Sequence, residues 1–178
     1  MASYLTIQPL AEGDKLPSIP GKTLSGRKIT LPSDVQGKIS ILIFYFYQEA
    51  RPQVQAWYNT LLNKYGKRQD IISIEVPMIR DYARFYGFIL GRKLKRLIPL
   101  KSHENVVIYY GKLEKYYYYF NVDSLTDCYV FVLDKTGRVR LSTCGEMTPE
   151  KMEQVSTKLE ELSERYGSVN GQSNHNEI

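Results

Sequence analysis

The chain has little of what redox and metal chemistry usually require. It holds two cysteines, Cys128 and Cys144, and two histidines, His103 and His175, in 178 residues. Two thiols far apart give neither a disulfide framework nor a CxxC motif, and there is no set of four Cys and His ligands for zinc. No metal or other cofactor is expected. Long apolar runs are missing as well. The longest lies around Ile39 to Tyr47, well short of the roughly 18–20 residues that cross a bilayer. The first twenty residues, MASYLTIQPLAEGDKLPSIP, contain one Lys, no Arg and two acids. They match neither a secretory signal nor an Arg-rich transit peptide, so the expected location is cytoplasmic.

What is present is ordinary in bulk and unusual in detail. A hydrophobic content of 43% and a charged content of 24% suit one globular domain. We expect that domain over residues 1–166, with 167–178 (GSVNGQSNHNEI) a polar, disordered tail. Tyrosine is abundant, fifteen against a single Trp. With an apolar body and a polar tip, it serves either in aromatic packing or at a binding surface, a homodimer face included.

Along the chain, LSGRKITL reads as a hairpin turning at Ser25 and Gly26. Lys38 to Tyr47 is a nearly continuous β-branched and aromatic run, the pattern of a central strand covered on both faces. Pro52 opens a helix, where its missing N–H costs nothing, and Val54, Trp57, Tyr58, Leu61, Leu62 and Tyr65 follow at helical spacing up to Gly66. DIISIEV (70–76) is a second strand. Asp81 caps a helix with Tyr82, Phe85, Tyr86, Ile89, Leu90, Leu94 and Leu97 on its core side, ending before Pro99, and Gly87 and Gly91 bring that helix close to the sheet. NVVIYY (105–110) is a third strand and KLEKYYYYFNV (112–122) a short aromatic cover. CYVFVLDKTGRVRLSTC (128–144) is a hairpin around Asp134-Lys135-Thr136-Gly137. Thr148 and Pro149 start a last helix with Met152, Val155, Leu159 and Leu162 inward. Helices between successive strands demand parallel crossovers, and the final hairpin is antiparallel. The result is an α/β fold, a mixed central sheet with helices on both faces.

These landmarks resemble the thioredoxin-like superfamily in its redoxin branch. The likeness rests on GDKLPSIPGKTLSGRKITLPSDVQGK as the opening hairpin, ISILIFYFY leading to a helix opened by proline, and YVFVLDKTGRVR, and it covers roughly residues 13–165. VFVLDKTGRVRLSTCGEMTPEKM and LKRLIPLKSHENVVIYYG further resemble the thioredoxin-like assembly factors of mitochondrial ATP synthase. The resemblance implies a three-layer sandwich. It also implies that the turn before the Pro52 helix is where active relatives keep a CxPC pair or a peroxidatic cysteine, whose thiolate the positive helix end stabilises. Here Glu49, Ala50, Arg51, Pro52 and Gln53 form that turn, and neither Ala50 nor Gln53 can ionise or form a disulfide. Two readings follow: a retained fold with a vacated site, or an unfamiliar use of Glu49 or Arg51.

The remaining candidate chemistry is the cysteine pair. By the same resemblance, Cys128, preceded by Asp127, falls where redoxins have a cis-proline facing the active turn. If DKTG is a type I turn with a left-handed Gly137, Asp134 pairs with Arg138 and counting outward sets Cys128 opposite Cys144. The leading reading of the pair is two small buried residues, as free cysteines in a sheet commonly are. The competing one takes Cys128 as the accessible thiol and Cys144 as a resolving partner, with Arg51 stabilising the thiolate.

Charge supplies one more feature. Residues 80–101 carry Arg80, Arg84, Arg92, Lys93, Lys95, Arg96 and Lys101 against Asp81, interleaved with Tyr82, Phe85, Tyr86 and Phe88. In a chain of net charge +5, this segment is the expected contact surface. The expected partner is another protein, with an anionic surface or nucleic acid as alternatives. The last helix, with five glutamates against Lys151, Lys158 and Arg165, reads as a solvated face. A redox-inactive binding or assembly module is the leading reading, and a thiol oxidoreductase or peroxidase acting through Cys128 is its competitor.

Overall fold

A computed structural model describes residues 8–81 and 84–171, without the side chains at 84–88, 90 and 168–171. Seven strands, β1 (Ile19–Thr23), β2 (Lys28–Leu31), β3 (Ile39–Tyr45), β4 (Ile71–Arg80), β5 (Val107–Gly111), β6 (Cys128–Leu133) and β7 (Val139–Cys144), form one sheet in the order β2-β1-β5-β4-β3-β6-β7. The β3–β4 and β4–β5 pairs are parallel, and the others are antiparallel. Among the described residues four α-helices accompany them: α1 (Arg51–Tyr65), α2 (Arg84–Leu97), α3 (Glu114–Tyr119) and α4 (Pro149–Gly171). The element order is the one expected, a mixed sheet with helices on both faces.

Strand alternation divides the core. Ile39, Ile41, Ile43, Val130 and Val132 meet Val54, Trp57 and Leu61 of α1 and Val155 and Leu159 of α4. Their neighbours Leu42, Phe44, Ile74, Val76 and Phe131 point the other way, onto α3 and the N-terminal segment around Leu16. Tyrosine mostly serves packing: Tyr45, Tyr58, Tyr65, Tyr109, Tyr116 and Tyr129 are buried, while Tyr47 and Tyr118 are half or more exposed. Strand β3 is buried at every position, as its sequence anticipates.

α2 sits on the α1 side of the sheet, over β4 and β5. Leu94 packs with Leu24, Val106 and Ile108, and Ile98 joins them. A Cβ on Gly91 would lie 3.8 Å from Ile108 Cδ1, an ordinary contact distance. Because the row Gly91, Leu94, Ile98 faces the sheet, Ile89, about half a turn away, faces out, and Leu97, about a quarter turn from the row, lies at its margin. Ile89 and Leu97, expected in the core, are 52% and 62% exposed. The expected core positions Tyr82, Phe85, Tyr86 and Leu90 and the expected contact residue Arg84 lie outside the described side chains.

α4 starts as its sequence anticipates, with Thr148 Oγ1 accepting from the Lys151 amide at 3.3 Å. It runs through Gly167 to Gly171. A glycine inside a helix costs only about 0.5–1 kcal/mol relative to alanine and does not have to end it. The rest of the expected tail, 172–178, is outside the described residues.

Candidate functional site

The turn singled out in the sequence lies where β3 hands over to α1. A 3-10 turn over Gln48–Ala50 leads into Arg51, and Pro52 occupies the first turn of the helix. Glu49 is exposed and Ala50 is fully buried. Arg51 turns inward. Its Nη1 donates to Glu75 Oε1 and to Tyr45 Oη at 3.4 Å, and Tyr45 Oη donates to the same Glu75 oxygen at 2.8 Å. The side chain of Arg51 is 15% exposed and that of Glu75 5%. Register explains the meeting: Ile43 pairs with Glu75 across β3 and β4, and Tyr45 stands two residues further along the same face.

Burial pushes the Glu75 carboxyl up from its ordinary value, against the opposing pull of Arg51 and Tyr45. Burial and the neighbouring Glu75 likewise hold the Tyr45 hydroxyl well above its usual range. A cation at the positive end of a helix is unfavourable by itself. A carboxylate set beneath it on the next strand compensates.

Gln53 closes the other side of the turn. Its Nε2 donates to Asp127 Oδ1 at 2.8 Å and its Oε1 accepts the Cys128 amide at 3.0 Å. Asp127 and Cys128 therefore do face the turn, as the redoxin resemblance implied. The thiol does not open to it. Cys128 is fully buried, its Sγ lies 3.4 Å from the Gly145 carbonyl, and Trp57 Nε1 donates to that carbonyl at 3.0 Å. Burial pushes the Cys128 thiol up to about 12, so it stays protonated near neutrality.

The expected register of the cysteines fails by one residue. The DKTG turn forms as anticipated, with Gly137 at φ 81° and the Asp134 amide donating to the Arg138 carbonyl at 3.0 Å. Leu133 then pairs with Val139 but Val132 with Leu141, so Arg140 bulges out of the ladder. Its guanidinium reaches the buried Asp134 carboxylate at 2.7 Å. Beyond the bulge Cys144 pairs with Tyr129, and the Cys128 carbonyl accepts the Gly145 amide instead, at 2.8 Å. A shift of one residue reverses the face. Cys128 is buried and Cys144 exposed, and both are free thiols. Burial of Cys128 agrees with the leading reading and overturns the competing one, while Cys144 departs from the buried pair; Arg51 is engaged by Glu75 rather than aimed at sulfur.

No local pattern marks Glu75 or Tyr45 as part of this site, and helical spacing marks Trp57 only as a packing residue. One signal was available: Glu75 is the single acid inside the apolar strand DIISIEV after its first residue, and a buried acid calls for a cation. The expected contact residues Lys93, Lys95 and Arg96 are exposed on α2, as is Arg92, which has a partner of its own. Among the described residues, no cluster of three His, Cys, Asp or Glu side chains is arranged to hold a metal, and no helix is long and apolar enough to cross a membrane.

Residues 11–162 match the family described as ATP10 protein, most of the chain. The chain belongs to the ATP10 protein family. This is the family of mitochondrial ATP synthase assembly factors that the sequence landmarks resembled. A search of curated proteins finds no match. Solved structures of similar shape are thioredoxin-like. A thiol:disulfide interchange protein from a Bacteroides species is 18% identical, covering 94% of this chain and 99% of its own, with a TM-score of 0.56. A peroxiredoxin-like protein from Aquifex aeolicus is 15% identical, with coverage of 88% and 90% and a TM-score of 0.59. BsSco, a member of the Sco family of cytochrome c oxidase assembly proteins in which a disulfide switch was identified, is 12% identical, with coverage of 85% and 95% and a TM-score of 0.60. At these identities the likeness establishes the thioredoxin-like fold alone.

Proposed function

We propose that this chain is a redox-inactive thioredoxin-like assembly module, acting by protein contact during assembly of the mitochondrial ATP synthase, with the exposed basic helix α2 as its contact surface. The observation that carries the reading is the filled turn at the start of α1. Dithiol exchange and peroxide reduction both need a thiolate at this helix end. The position holds Ala50 and Gln53 instead, and the Arg51–Glu75–Tyr45 group occupies the space beneath it. Membership in the assembly-factor family supplies the protein partner and favours the mitochondrion over the cytoplasm anticipated from the N-terminal composition.

The test is a full-length variant with Cys128→Ser and Cys144→Ser, returned to cells depleted of the native chain. We expect ATP synthase assembly, followed on native gels, to recover fully, and the purified native protein to consume no peroxide and reduce no disulfide. Peroxide consumption or disulfide reduction by the purified native protein that depends on Cys128 would establish the oxidoreductase reading instead.

A further inference from the structure

The outer face of α2 sets exposed aliphatic side chains among exposed cations. Ile89, Lys93, Arg96 and Leu97 are all exposed at positions i, i+4, i+7 and i+8, a single stripe roughly 12 Å long at 1.5 Å per residue. Leu100, just past Pro99, is 82% exposed, the most exposed large apolar residue among those described. Among the described residues, Lys93, Lys95, Arg96 and Lys101 form no ion pair, whereas Arg27, Arg51, Arg68, Arg80 and Arg140 each do.

The basic character continues onto the sheet. Lys22 and Lys28 are direct partners across the β1–β2 ladder, a like-charge pairing that is unfavourable where nothing neutralises it. They flank a groove of about 490 Å³ floored by Pro20, Ile108 and Tyr110. Ile108 is also a residue on which α2 packs, so the groove borders the helix on the same side of the sheet. Asp34 lines the groove too, accepting the Thr30 amide at 2.7 Å and keeping its charge, so two lysines face one carboxylate there.

We infer that the α2 stripe and the adjoining lysine groove receive an acidic amphipathic helix of a partner protein. The inference rests on the assembly-module reading and names the chemistry of its partner. Charge selects an anion and the aliphatic anchors select apolar side chains. Lys93 and Arg96 sit between Ile89 and Leu97, at the middle of the stripe. A helix lying on a bilayer does the reverse, turning a continuous apolar row into lipid with its cations at the margins; here the continuous row, Gly91, Leu94 and Ile98, is taken by the sheet. A facing helix with carboxylates between aliphatic residues matches both elements at once, in the helix-in-groove manner.

A photo-crosslinking amino acid placed at Leu97 of the full chain, in its own cells, tests this, with the same group at exposed Thr157 on α4 as control. We expect an adduct on a protein segment bearing carboxylates at helical spacing, absent from the Thr157 chain and lost with Lys93→Glu and Arg96→Glu. Changing the mapped carboxylates to lysine in the partner should restore the adduct to that charge-reversed chain. Adducts on lipid or nucleic acid, on a segment without carboxylates, or at a yield no higher than from Thr157 would overturn the inference. If assembly proceeds normally while the adduct is missing, the occupant is wrong and the module reading stands. Cys128-dependent turnover with the adduct intact would remove the module reading and leave the docking surface.

Discussion

The two ends of the charge problem in this chain are solved in opposite ways. At the start of α1 an arginine is buried and its neighbours are paired: Arg51 with Glu75 and Tyr45, Gln53 with Asp127 and the Cys128 amide. On α2 the lysines and arginine stand in solvent beside exposed aliphatics, with no ion pair on Lys93, Lys95 or Arg96 among the described residues. A region that is internally satisfied contributes to stability and offers little to a ligand. A region left unsatisfied contributes little to the fold and keeps its interactions for something else. The position that carries catalysis in thiol-active thioredoxin-like proteins belongs here to the first kind.

The sharpest way to break this contrast is to open the α1 site. Arg51→Met leaves Glu75 buried without its cation, and we expect a loss of about 3–5 kcal/mol in urea unfolding, with most of it recovered when Glu75→Leu is added. The loss should shrink at acid pH, where the orphaned carboxyl takes up a proton. A loss below about 1 kcal/mol would mean that the group is not a closed unit. Gln53→Ala comes next. It strands the Cys128 amide and frees Asp127, for an expected cost of about 1–3 kcal/mol by thermal or urea unfolding.

A smaller effect is readable in alkali. The buried Cys128 thiol titrates near 12 against an ordinary value of 9.0. The folded chain therefore holds this proton more tightly than the unfolded one. Its contribution is fully present below pH 9 and is lost as pH rises toward 12. Cys128→Ala should remove that part of the alkaline decline, seen as a shallower fall in stability than in the native chain across the same window. Last, Lys93→Glu with Arg96→Glu should change unfolding free energy by no more than about 0.5 kcal/mol. A larger loss would show that α2 needs its cations for folding and would erase the distinction between the two regions.

How much of this could be read in advance follows the same division. The order of elements was legible because each carries its own local signal: the β-branched run of β3, Pro52 at the head of α1, the left-handed Gly137 in the DKTG turn, Thr148 capping α4. What escaped depends on residues distant in sequence. Glu75 and Arg51 are 24 positions apart and meet only through the parallel β3–β4 register. Arg140 leaves its ladder beside the buried Asp134, and that single bulge turns Cys144 to the face opposite Cys128, where it meets water. Periodicity alone also placed Ile89 and Leu97 inward. The sheet contact of Gly91, Leu94 and Ile98 set the rotation of the helix, and no pattern within α2 announces it.

The central claim is that no thiol is available at the positive end of α1. Alkylation of the native chain at pH 8, with peptide-level readout of each cysteine before and after denaturation, addresses it directly. The account predicts rapid labelling of Cys144 and none of Cys128 until the chain is unfolded. Labelling of Cys128 in the folded protein at the rate of an open thiol would contradict it.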